Sequence, residues 1–276
     1  MTSEAVDMII EPGRTERNYW RDLWNYRELF YFLAWRDTLV RYKQTSIGVA
    51  WALIRPLVTM LAFTLIFGKI AKLPSDGAPY PILVFAAILP WQFFASAFAE
   101  AGSSLVGNGG MLSKIYFPRL IIPVASVITS FIDFLVSAVL LVALMFWYGH
   151  LPSLRMLTLP LFTLLAFAAA IGCGVWIAAL NVTYRDFGYV IPFILQVGLY
   201  LSPVGFTSAV VPEEWRLLYA LNPMVSVIDG FRWAIVGGNS QIYLSGFLLS
   251  TGVVALLLVS GIAYFRRTEK TFADIL

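Results

Sequence analysis

The chain has 276 residues, 59% hydrophobic and only 13% charged, about half the ~25% charge of an average soluble domain. That composition excludes a water-soluble globular protein, and a net charge of +3, from 19 basic against 16 acidic residues, is too small to mark a nucleic-acid binder. Cys173 is the only cysteine and His150 the only histidine, so no disulfide framework, cysteine metal site, histidine proton relay or catalytic triad can be assembled.

Glu4, Asp7 and Glu11 precede any long apolar stretch, so the start of the chain lacks the pattern of a cleaved signal peptide and insertion is expected to rely on internal helices. On a helical wheel from Tyr19 to Asp37, Arg21, Asp22, Asn25, Glu28 and Arg36 share one sector. Trp20, Leu23, Trp24, Phe30, Tyr31, Ala34 and Trp35 fill the other. This is the pattern of an amphipathic helix lying in a headgroup region or packed on a soluble partner, with Arg27 snorkelling from its apolar side.

A helix needs about 20 residues to span ~30 Å of hydrocarbon. Six apolar runs near that length follow: Gly48 to Ile70, Pro81 to Val106, Leu120 to Tyr148, Met156 to Leu180, Tyr189 to Phe206, and Tyr243 to Phe265. Lipid offers no partner to free backbone groups, so each run must be helical, and Pro56, Pro90, Pro123, Pro160 and Pro192 mark kinks or ends. Between the fifth and sixth runs, Pro212 with Glu213 and Glu214 starts one short helix. Asn222 and Pro223 cap a second that ends at Gly237 and Gly238. Neither is long enough to cross, which predicts a re-entrant hairpin.

With six spans, the Lys and Arg residues divide 14 to 5 between the two sides. The positive-inside rule then puts both termini in the cytoplasm. The expected fold class is an all-α integral membrane protein. It comprises a cytoplasmic segment with the interface helix over 1–47, a six-helix transmembrane domain over 48–265 and a cytoplasmic tail over 266–276. No internal repeat, low-complexity segment or linker divides the chain.

Ionisable groups inside spans are functional candidates by default. Glu100 and Asp133 qualify, either pairing with Arg119, Lys114 or Arg55 to fix helix packing or lining a substrate or ion path. Asn181-Val-Thr183 matches a glycosylation sequon but falls on the cytoplasmic side. The stretch Gly107-Asn-Gly-Gly-Met-Leu-Ser-Lys114 has the wrong spacing for a phosphate-cradling loop and no strand-helix framework around it. Aromatics make up 16% of the chain, which an interfacial belt and ordinary packing mostly explain, and a minority could line a pore.

Four stretches together carry a family resemblance. Trp35 to Trp51 (W-R-D-T-L-V-R-Y-K-Q-T-S-I-G-V-A-W), followed by Arg55-Pro56-Leu57, resembles the entry to the first span of type-2 ABC exporter permeases. Lys114-Ile-Tyr-Phe-Pro-Arg119, Tyr184-Arg-Asp186 with Ser202-Pro-Val204, and Leu221-Asn-Pro223 with Phe231-Arg232 fit the same family in the same order. Ile47, where leucine is commoner, is a small departure. The subgroup most resembled exports lipid-linked polysaccharides such as O-antigen and teichoic acid.

The resemblance implies a homodimeric pore in the cytoplasmic membrane of a bacterium and two copies of a separate ATPase subunit that carries ATP and Mg. The implied cargo is an undecaprenyl-linked glycan. No catalytic residue, cofactor, metal or nucleic-acid partner is implied for this chain. By the same analogy, Asn108 to Arg119 becomes a coupling segment centred on Lys114, Ile115, Tyr116, Phe117, Pro118 and Arg119. Trp20, Arg27, Trp35, Arg36 and Asp37 belong to an interface helix beside it. Phe63, Phe94 and Tyr200 become candidate channel-lining rings on the first, second and fifth spans, and the hairpin with Pro212, Asn222, Pro223 and Arg232 an outer gate. An ion-driven secondary carrier, a permease for another lipid or drug and a non-transporting scaffold are the competing readings.

Overall fold

The computed structural model describes residues 15–43, 48–74, 77–112, 114–237 and 242–272, and among these there is no strand. Five segments are long and apolar enough to cross a membrane, so the protein is a multi-pass membrane protein. They are α3 (Gly48–Phe63) with its π-helical continuation Thr64–Ile70, α4 (Tyr80–Gly107), α6 (Ile121–Trp147), α7 (Leu159–Thr183) behind a short 3-10 turn, and α11 (Leu244–Thr268). The fifth expected run forms α8 (Phe187–Leu201), which at 15 residues is about 22 Å long. The expectation that this helix reaches Phe206 is corrected: it stops at Leu201 because Ser202 precedes Pro203. Proline drives the residue before it into extended backbone, and Ser202 sits at φ −101, ψ 149.

The N-terminal helix also differs from its expectation. It forms α1 (Thr15–Asn25) and α2 (Arg27–Lys43), interrupted at Tyr26, where Tyr26 N–H still donates to the Asp22 carbonyl at 2.9 Å. The two-sector reading holds only in part. Trp20, Trp24, Tyr31 and Trp35 are exposed, but Tyr19, Leu33 and Ala34 are buried against the chain itself. Arg36 stays partly exposed, as the polar sector requires, but also reaches the Asn108 side chain.

The helix α4 is the axis of the unit. It packs on α6 and α7, with α11 on the far side of α7. Of its most apolar window 78% is buried, against 11% for α3, so α3 turns most of its surface away from its own chain. Lipid tails are as apolar as leucine, so close approach and not hydrophobic burial must hold such helices together. Small residues supply that approach. A Cβ on Gly172 of α7 would lie 2.8 Å from the Leu258 backbone nitrogen of α11, and one on Gly261 would lie 2.7 Å from the Gly172 carbonyl oxygen.

At the opposite end from α2 lie two short helices, α9 (Glu213–Tyr219) and α10 (Pro223–Ile235). The Asn222 side chain accepts from Met224 N–H at 3.0 Å, as its cap position predicts, and Gly237 at φ +67 turns the chain out of the helix. Gly238, Ser113 of the coupling segment, the stretch 44–47 of the family motif, and residues 1–14 and 273–276 lie outside the described residues.

The glycine contacts give a test. Gly172→Ala is expected to cost ~1–3 kcal/mol by forcing α7 from α11, lowering the melting temperature of the detergent-purified protein. Gly252→Ala, where a Cβ meets nothing within 4 Å, serves as the neutral control.

Candidate functional site

The two charges expected inside spans meet on a third helix. Arg41, in the last turn of α2, pairs through Nη2 with Glu100 of α4 and through Nη1 with Asp133 of α6. Ser130 Oγ donates to the other Glu100 oxygen at 2.9 Å, and the Tyr42 hydroxyl donates to the other Asp133 oxygen. Every carboxylate oxygen therefore has a donor. The expected partners Arg119, Lys114 and Arg55 are not the ones used. Because α2 continues to Lys43, its final turn reaches α6 and delivers Arg41 between the acids. The side chains keep 26 to 32% exposure, so the cluster is only partly desolvated.

At the same end of the molecule, the segment between α4 and α6 is built as an anchored knob. Asn108 caps α4 through Nδ2 to the Ser104 carbonyl at 2.8 Å, and its Oδ1 accepts from Arg36 Nη2 at 3.0 Å. Arg36 also pairs with its neighbour Asp37 at 2.7 Å, so one of the expected interface-helix residues fastens α2 to this segment while the other holds that arginine in place. After the single turn of α5 (Gly109–Leu112), Lys114, Ile115 and Tyr116 are exposed, while Phe117 and Pro118 are buried. A buried Phe-Pro peg thus holds out a cationic and apolar tip. Arg27 does not snorkel alone: its guanidinium lies 6.0 Å from the ring centre of Trp24.

Arg119, the last residue of the segment, donates to the Glu269 backbone carbonyl beyond the end of α11. Tyr19 of α1 donates its hydroxyl to Glu269 Oε2 at 3.1 Å and carries the Arg266 guanidinium 4.7 Å above its ring. Burial, then the neighbouring Glu269 charge, pushes the Tyr19 hydroxyl well above its ordinary pKa, keeping it a donor. Phe272 completes the cluster, edge-on to Phe265 at 5.4 Å. Tyr19, Glu269 and Phe272 escaped the sequence reading because they meet across 250 residues of chain, and no local pattern marks such a contact.

The three candidate lining rings are not brought together. Phe63 packs on Phe67 at 5.4 Å, Phe94 lies between Trp91 and Phe98 at 5.9 Å from each, and Tyr200 is 68% exposed on α8. Of the outer residues, Pro212 precedes α9 and Asn222 and Pro223 open α10. Arg232 is 3% exposed and works as a staple. It donates to the carbonyls of Leu83 at 3.2 Å, Val204 at 2.8 Å and Phe206, two of them on the non-helical segment after α8.

Removing Arg41 leaves two like charges facing each other, which is worse than having none. Arg41→Ala is expected to reduce folded protein in the membrane severely. The triple change Arg41→Met, Glu100→Gln, Asp133→Asn should recover much of it, read by size-exclusion chromatography of solubilised membranes. At the knob, Lys114→Glu, at an exposed side chain, should leave the melting temperature within a few degrees of the parent, whereas Arg119→Glu, which loses the bond to the Glu269 carbonyl and sets a second carboxylate beside Glu269, should lower it.

The sequence profile of the ABC-2 type transporter family matches residues 28–236. The chain is 27% identical over 242 residues to the O-antigen export system permease protein RfbA of Klebsiella pneumoniae, covering 87% of this chain and 92% of that one. A namesake from Myxococcus xanthus is 26% identical over 256 residues, with 92% and 97% coverage. The polysialic acid transport protein KpsM of Escherichia coli is 23% identical over 245 residues, with 85% and 91% coverage. The family profile takes in α2 through α10, including the Arg41 cluster, the Phe-Pro knob and the Arg232 staple, and the chain belongs to the ABC-2 type transporter family.

Proposed function

We propose that this chain is the membrane subunit of an ATP-driven exporter that carries a lipid-linked, O-antigen-like polysaccharide across the cytoplasmic membrane of a bacterium. The observation that carries this reading is near end-to-end similarity to permeases named for O-antigen export, at 87 to 92% of this chain. ATP and Mg then belong to a partner ATPase present in two copies, and no catalytic group is required here.

The physical features fit that division of labour. The exposed tip Lys114, Ile115 and Tyr116 offers charge and apolar surface to a soluble partner, while its Phe117 peg and its ties to α2 and to the end of α11 carry a displacement into the bundle. Trp20, Trp24 and Trp35 remain exposed on α1 and α2, suited to a headgroup region or to that partner. In this reading α8, which carries Pro192 in its interior and is extended by residues 202–206, is a sixth span, and the 14 to 5 charge division puts both termini in the cytoplasm. The helices α9 and α10 form a re-entrant hairpin on the outer face.

A hydrophilic glycan cannot cross ~30 Å of hydrocarbon unshielded. Six spans in one chain leave little room for a pore, so the conduit lies between two copies. Their facing surfaces are the outward faces of α3, with Trp51, Val58 and Leu61, and of α8, with Tyr189, Phe193 and Tyr200.

In proteoliposomes holding both subunits, transfer of lipid-linked glycan should require ATP and persist when proton and sodium gradients are dissipated. Flux that follows a gradient without ATP overturns the reading. Charge reversal at Lys114 or Arg119 should abolish export, and unchanged export in both variants rules out their coupling role. Cysteines at Phe63, Phe94 and Tyr200 in a Cys173→Ala background should react with a water-soluble maleimide and be protected by trapped glycan. Silence at all three removes them from the lining.

A further inference from the structure

Behind the outer hairpin lies a cavity of about 270 Å³ that the export reading leaves without a role. It is walled by the segment after α8, by α9 and α10, and by the start of α11, with Ser208, Tyr219, Asp229, Tyr243 and Phe247 among its lining. Arg216 closes one side, its guanidinium held by the carbonyls of Val211 at 3.0 Å and Ala209 at 3.3 Å. Two polar groups in this wall are short of partners among the described residues. Both Asp229 oxygens lie within reach of the Ser208 hydroxyl, which has one proton, so one oxygen lacks a side-chain donor. The Tyr219 hydroxyl is buried with no hydrogen-bond partner.

Buried polar groups are almost always satisfied, and leaving them unmade is costly. The chemistry of the wall selects what would satisfy them. A metal ion is disfavoured, since among the described residues no group of three or more His, Cys, Asp or Glu side chains comes together and Arg232 lines the same space. A phosphate would meet the Asp229 carboxylate, while the two arginines of the wall, Arg216 and Arg232, are already engaged by backbone carbonyls. A neutral polyol suits both orphan groups: one hydroxyl donates to Asp229 and another accepts from Tyr219. The rings of Phe247 and Tyr243 supply flat apolar surface for its C–H face. At about 270 Å³ the cavity is just below the ~300–1,000 Å³ of pockets for drug-sized ligands, which admits one ring and not an oligosaccharide.

We propose that this cavity is an outer-face subsite for a single neutral pyranose ring of the exported glycan, gripped through a vicinal diol by Asp229 and Tyr219. The proposal rests on the export reading above. It gives the hairpin a means to sense that sugar, rather than lipid, stands at the exit. The same diol occurs in the glycerol headgroup of phosphatidylglycerol, and the test separates the two sources.

The reporter is Ala209→Cys in a Cys173→Ala background, since Ala209 lines the cavity and is exposed. The permease in complex with its ATPase, in phosphatidylcholine nanodiscs, is labelled with a water-soluble maleimide. Free glucose, galactose, mannose or N-acetylglucosamine is present at high millimolar concentration. At least one pyranose should slow labelling several-fold, and Asp229→Asn and Tyr219→Phe should each abolish the slowing. No slowing by any of the four, or slowing that survives both variants, overturns the subsite. Slowing seen only when phosphatidylglycerol replaces phosphatidylcholine assigns the cavity to a lipid headgroup and overturns it as well. ATP-dependent glycan transfer by the same reporter protein is measured in parallel. Transfer without protection removes the subsite and leaves the export reading standing, whereas protection without transfer leaves a pyranose site but removes the export reading and with it the assignment of that site to an exported glycan.

Discussion

A guanidinium held between two carboxylates, at the end of a bundle that must sit in hydrocarbon, sets the terms for much of this structure. Glu100 and Asp133 lie on α4 and α6, whose packing makes the axis of the unit, and neither acid is tolerable in lipid without a cation. Arg41 is that cation, and it arrives on α2. The position of the N-terminal helices relative to the bundle is thereby fixed by electrostatics, and they carry Arg36 to Asn108 and Tyr19 to Glu269 with them. Three separate parts of the chain, α1 with α2, the loop before α6 and the end of α11, become one platform around the exposed tip at Lys114 to Tyr116.

The other end solves a different problem. After α8 stops at Leu201, residues 202–206 run without helical hydrogen bonds, and in a poorly hydrated setting their carbonyls need donors. Arg232 serves Phe206 and Val204 with its two Nη groups, the Tyr80 hydroxyl donates to the Gly205 carbonyl at 2.8 Å, and Asn222 holds the Ser202 side chain through a bond to its Oγ at 2.9 Å. The first end is keyed by the charge pairs of Arg41, the other mainly by side chains reaching backbone carbonyls. The difference matters for motion: a staple on backbone carbonyls resists local unravelling of residues 202–206 even where the surrounding helices shift.

Apolar run length was enough to read α4, α6, α7 and α11 to within a few residues, because hydrocarbon thickness is a strong constraint. The cap at Asn222 and the stop near Gly237 were legible for the same reason that caps are local chemistry. The helix break at Tyr26 and the stop at Leu201 were not extracted, although the Ser202-Pro203 pair did signal the latter. The choice of Arg41 over Arg55, Lys114 or Arg119 depended on how far α2 runs, which wheel position does not reveal. Contacts such as Tyr19 with Glu269 are set by tertiary packing alone. The sequence places Arg232 in the second short helix but does not reveal the carbonyls it serves, which lie on α4 and after α8.

The π-helical stretch Thr64–Ile70 has a consequence for how the chain tolerates change in length. Its Ala71 N–H reaches back to the Ile66 carbonyl at 2.8 Å, so each turn holds more residues than an α turn does. A one-residue deletion here can be absorbed by tightening the wide turn into an ordinary one, leaving Lys69, Ile70 and the turn that follows nearly in phase. The same deletion in the middle of α4 would rotate everything beyond it by roughly 100° and drag Glu100 away from Arg41. Length variation among relatives should therefore collect at the π-helical end of the first span and be purged from the second, a record of which helix is free to slide and which is keyed.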